Sequence, residues 1–80
     1  MKYLATFFTH SGAVKYRLHL KRNGIGVELM PVPRKLSSSC GIAAVFETSQ
    51  DIRSMISEDI ESLYTIENGK YKLIYRSTED

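Results

Sequence analysis

Eighty residues make one domain with one modest core, because a chain this short buries only about 60–65% of the surface it exposes when unfolded. A composition of 42% hydrophobic and 25% charged residues is that of a folded globule and excludes intrinsic disorder. The net charge of +2 permits an acidic partner without demanding one, and a single cysteine excludes an internal disulfide.

The chain opens with Lys2 and an apolar patch, Tyr3 to Phe8. The patch is shorter than the apolar region of a secretory leader, and Thr9-His10 ends it without a small-residue cleavage site. No apolar run approaches the roughly 18 residues of a membrane span. These features predict a cytoplasmic protein whose thiol stays reduced.

Tyr3 to Phe8 is apolar at nearly every position, which predicts a strand covered on both faces. Thr9 or Ser11 caps a helix that Asn23-Gly24 ends. Ala13, Tyr16 and Leu20 give that helix its core stripe, and Val14 and Leu18 broaden it. Ile25, Val27 and Leu29 alternate with Gly26, Glu28 and Met30, the period of a half-buried strand. Pro31 and Pro33 cannot donate to a central ladder and make this strand an edge. "GIAAVFE" is apolar on both parities and predicts a second interior strand. Ile52, Met55, Ile56, Ile60 and Leu63 recur at i, i+3, i+4, i+8 and i+11, a helical stripe with Thr48 or Ser49 as cap and Asp51 in its first turn. In "YTIENGKYKLIYR" apolar residues alternate around Asn68-Gly69, a strong hairpin signal.

The predicted order is β-α-β-β-α-β, with the last strand single or doubled into a hairpin: an α+β, ferredoxin-like sandwich over residues 1–80. Two helices cover one face of an antiparallel sheet, the first and third strands are central, and Lys70, Lys72 and Arg76 protect the last strand as an edge. Because the far face must be covered or tolerated, a homodimer using that face or an edge strand is expected.

Cys40 ends "PVPRKLSSSCG", a segment with two prolines, two cations and three hydroxyls, which predicts an exposed loop rather than a core strand. Arg34 and Lys35 would favour the thiolate if they folded over it, Ser37, Ser38 and Ser39 would donate hydrogen bonds to it, and Gly41 would leave it unshielded. The default alternative is a small buried hydrophobe. A dithiol oxidoreductase lacks its C-x-x-C, and a Cys-His hydrolase lacks an acid to orient His10 or His19. No clustered ligand set and no phosphate-cradling glycine loop is present, so neither a metal nor a cofactor is expected. "GIAAVFET" lacks the aromatic pattern of an RNA-recognition strand, which argues against nucleic acid as a partner. One thiolate does suffice to carry a single sulfur or selenium atom as a persulfide or selenosulfide.

"PVPRKLSSSCGIAAVF", after a strand-helix-strand and before an expected amphipathic helix, resembles a family of small stand-alone selenium/sulfur carrier protein-like domains, often found in anaerobic bacteria. The resemblance rests on Pro31, Pro33, Arg34, the serine run, Cys40 and Gly41, with Thr9-His10 beside them, and reaches to about Leu63. It implies that Cys40 carries the cargo, and the carrier would be loaded by a sulfur- or selenium-mobilising enzyme such as a cysteine desulfurase and unloaded by an acceptor protein. Such a carrier is not itself an enzyme. The better-understood sulfur-relay carriers place their cysteine before a C-P-x-P turn, whereas the prolines here precede Cys40. The rival reading is a protein-interaction module in which Cys40 is incidental.

Overall fold

The computed structural model of the chain describes residues 1–77. A five-stranded antiparallel sheet has the order β2-β3-β1-β4-β5, built from β1 (Lys2–Phe7), β2 (Val27–Pro31), β3 (Ile42–Glu47), β4 (Ile60–Glu67) and β5 (Lys70–Arg76). One helix, α1 (His10–Arg22), lies on one face. Tyr3, Ala5 and Phe7 of β1 and Ala44 and Phe46 of β3 turn toward it, while Leu4 and Ala43 fill a smaller cluster on the other face. Burial on both faces is what the doubly apolar runs predict, and β1 and β3 are indeed interior strands.

Thr9 caps α1, its hydroxyl accepting the Gly12 N–H at 2.9 Å. Beyond Asn23, Gly24 takes a left-handed φ of 74°, the usual helix stop. Gly12, Ala13, Tyr16 and Leu20 are the buried residues of α1. Tyr16 is the pin: its ring lies 5.5 Å from Phe7 and 5.8 Å from Phe46, and its hydroxyl donates to the Met55 carbonyl at 2.9 Å. Val14 and Leu18, expected to broaden the core stripe, stand outside instead, 46% and 48% exposed.

The second helix is not formed, which corrects the two-helix ferredoxin-like expectation. Ile52–Met55 makes a single 3-10 turn, and β4 starts at Ile60. Serines in this segment bond locally in ways that compete with a helix: Ser54 donates to the Asp51 carbonyl, and the Ser57 hydroxyl accepts the Asp59 N–H. The stronger reason is tertiary. Interior β1 needs a ladder on both sides, and β4 supplies the second one. The three-residue spacing of Ile60 and Leu63 mimics a helix because the register slips between Thr6 and Phe7, letting both side chains reach the same core. Met55 of the 3-10 turn packs into that core in place of a second helix.

The hairpin is as expected, with Asn68 at φ 51° and Gly69 at φ 75° joining β4 to β5. It makes β4 interior rather than an edge, and β5, with Lys70, Lys72 and Arg76, takes the outer position. β2 is the other edge. Val32 donates to the Gly41 carbonyl at 3.0 Å, so the backbone N–H and C=O groups of residues 28, 30 and 32 point to β3 while those of 27, 29 and 31 point away from it. Pro31 therefore falls where a missing N–H breaks no ladder bond.

Candidate functional site

Between β2 and β3 the chain leaves the hairpin for residues 33–40 and crosses one end of the sheet. Pro33 and Leu36 close a turn at 2.9 Å, and Val32 and Leu36 pack on the far-face cluster with Leu4, Ala43 and Tyr64. Part of the sheet face expected to lie open is thus covered by the chain itself. Lys35 and Leu36 line a shallow depression with Lys70 and Tyr71. The serines then bring the chain back across the end of β1. Ser38 Oγ lies 3.3 Å from the Phe7 carbonyl. Glu61 of β4 grips Ser39 at both ends: Oε1 accepts its N–H at 3.0 Å and Oε2 accepts its hydroxyl at 2.7 Å.

Cys40 follows, two residues before β3 and of the same parity as Ile42 and Ala44. It is half-buried against the helix-side core. Three groups surround it. His10, the first residue of α1, places Nε2 2.9 Å from the Cys40 carbonyl. A carbonyl only accepts, so Nε2 carries the proton and is committed to the backbone. The Cys40 thiol lies 3.6 Å from the Ile42 carbonyl and can donate to it. Ser38 Oγ accepts the Cys40 N–H at 3.4 Å and lies 4.0 Å from Sγ. The serine has one hydroxyl proton and two acceptors, the Phe7 carbonyl and the sulfur. A thiol leaves that proton on the carbonyl; a charged sulfur attracts it.

Gly41 adopts φ 78°, with open space where a side chain would begin. The glycine is there for its backbone, which turns the loop into β3. Of the residues singled out in the sequence, Ser38, Cys40 and Gly41 come together, and Ser39 is drawn off to Glu61. Ser37 is exposed, as are Arg34 and Lys35, and among the described residues no hydrogen bond or ion pair joins either cation to Cys40. Cys40 and Lys35 belong to opposite faces of the sheet. Pro31 ends β2, and Pro33 is half-buried at the loop's start.

Two contributors are placed at the site only by the tertiary structure. Glu61 lay inside the supposed second helix, 22 residues from Ser39, and only the β1–β4 pairing brings it there. His10 was visible as a helix start, but its reach to Cys40 depends on how α1 docks. Among the described residues no group of three or more His, Cys, Asp and Glu is placed to hold a metal ion, and no helix is long and apolar enough to cross a membrane.

No curated protein and no solved structure matches the chain. One family model does, over residues 2–76, so the match runs past Leu63 through the C-terminal hairpin. With nearly the whole chain covered, the protein belongs to the family described as "Putative Se/S carrier protein-like".

Proposed function

We propose that Cys40 accepts one sulfur or selenium atom from a mobilising enzyme and hands it to an acceptor protein. The observation that carries this reading is the setting of the thiol. It is half-buried at the junction of a pinned loop and an interior strand, beside a hydroxyl that can turn to it. Family membership supplies the cargo.

Loading is an exchange at sulfur. The Cys40 thiolate attacks the terminal sulfur of a donor enzyme's cysteine persulfide, the donor's S–S bond breaks, and the donor cysteine leaves as thiolate. The outer atom moves with its proton, so no external oxidant is consumed. Selenium follows the same path from a donor selenosulfide. Ser38 turns its proton from the Phe7 carbonyl to the anionic sulfur, and the grip of Glu61 on Ser39 holds the loop while the donor approaches. Positive φ at Gly41 keeps a side chain out of the adjoining space. Unloading is the same exchange in reverse, with the acceptor's thiolate as attacker. The carrier needs no resident metal or cofactor and works in a reducing, cytoplasmic setting; as a homodimer it would pair through the open part of the far face.

The test is intact mass spectrometry after incubation with a cysteine desulfurase and either cysteine or selenocysteine. An added mass of about 32 Da for sulfur or about 79 Da for selenium, lost with reductant and absent in Cys40→Ser, is the expected result. An unmodified Cys40, with a Cys40→Ser variant that still binds its partners, would make the protein an interaction module instead.

A further inference from the structure

The outer face of α1 has a composition its place in the fold does not require. Between His10 and Arg22 the helix carries Lys15, Arg17, Lys21 and Arg22 and no acidic residue. Only Lys15 has an ion pair, with Asp59 at 3.6 Å; among the described residues Arg17, Lys21 and Arg22 have none. The buried residues Gly12, Ala13, Tyr16 and Leu20 fix which side faces the sheet. At about 100° per residue Val14 and Leu18 then fall nearly opposite, one turn apart, with Ser11 beside them and cations on both flanks. Scattered exposed apolar residues are ordinary. An i, i+4 pair on the outward side of a helix without one carboxylate is a patterned surface.

We infer that this face docks an acidic amphipathic helix of a protein partner. The Val14–Leu18 ridge, with small Ser11 beside it, suits the groove of a second helix, and the flanking cations meet carboxylates on either side of that helix's apolar stripe. A bilayer is a poorer fit, because two aliphatic side chains give too little apolar area for an interfacial helix whose main apolar face is already used in the core. Nucleic acid is poorer too, since phosphates have no use for the ridge and no Phe, Tyr or Trp is exposed on this face for a base to stack on. The inference stands on α1 alone and goes beyond the carrier reading. It gains relevance from His10, which begins the same helix and holds the Cys40 carbonyl, so a partner seated on α1 lies beside the thiol loop.

The experiment titrates the isotope-labelled full chain with a helix-stabilised peptide of about 18 residues bearing a leucine stripe flanked by glutamates. A scrambled peptide of equal charge, phosphatidylglycerol vesicles and oligouridylate run in parallel. Amide shifts confined to the outward side of α1, around Ser11, Val14, Lys15, Leu18 and Arg22, and seen only with the striped peptide, are expected. Val14→Glu with Leu18→Glu should weaken that binding about tenfold or more, by losing the anchor and adding like charge, with the circular dichroism and the Cys40 alkylation rate unchanged. Equal binding of the scrambled peptide, shifts elsewhere, no shifts at all, or a response to vesicles or RNA in place of the peptide would each overturn the inference. Because the readout does not involve cargo on Cys40, its failure leaves the carrier reading standing, and the reverse also holds.

Discussion

Replacing Glu61 with alanine removes both bonds that tie the serine loop to β4, at 3.0 Å to the Ser39 N–H and 2.7 Å to its hydroxyl. Bonds to a charged acceptor contribute about 1.5–3 kcal/mol when sheltered, but Ser39 is exposed and Glu61 half-exposed, so about 1 kcal/mol each is the appropriate scale. Freeing the glutamate side chain returns some entropy, which leaves a net loss of about 1.5 kcal/mol. That corresponds to roughly a tenfold rise in loop opening. The loss falls on residues 33–40 more than on the core, because Cys40 is still held by His10 and Leu36 still packs on the far face. The assay is the rate at which iodoacetamide alkylates Cys40 in the native protein, read beside hydrogen exchange at Ser39. About tenfold faster alkylation and faster exchange at Ser39 are expected, with a smaller change in the urea midpoint. Glu61→Gln, which can keep both contacts as neutral bonds, should give about threefold. A Glu61→Ala protein that stays folded and alkylates within about twofold of the parent would refute the idea that this clamp holds the loop.

Burial pushes the Tyr16 hydroxyl up from its usual 10.0 to about 12. The folded value lies above the unfolded one, so this contribution to stability is complete below pH 10 and is lost as pH rises toward 12. Tyr16→Phe should cost about 1 kcal/mol at neutral pH, by leaving the Met55 carbonyl without its donor. It should also remove the parent's alkaline stability loss, about 1.4 kcal/mol between pH 8 and pH 11 for this shift; urea titrations at those two pH values measure both effects, and equal alkaline losses in the two proteins would contradict the assignment. Gly41→Ala meets open space but must hold φ 78°, so about 1–2 kcal/mol of strain is expected. Gly26→Ala, with open space and no left-handed φ, serves as the near-neutral control; equal urea midpoints for the two variants would show that the turn at Gly41 is not strained.

Where local chemistry dictates local structure, the chain was readable. Asn68-Gly69 specified its turn because few other residues tolerate φ above zero, and Asn23-Gly24 ended α1 for the same reason. Pro31 marked an edge strand because it has no N–H, and unbroken apolar runs marked β1 and β3 as interior. Cys40 stood out as the lone thiol after a polar loop. What only the tertiary structure decided depended on partners distant in sequence. Residues 52–63 carry a helical spacing, yet β1 required a second ladder and a register slip let Ile60 and Leu63 serve a strand. The same pairing set Glu61 against Ser39. Val14 and Leu18 pattern with the core stripe on paper, but the sheet covers only one side of α1 and leaves them outside. Periodicity records which residues can share a face; which face is buried depends on what packs against it, and that is a property of the whole fold.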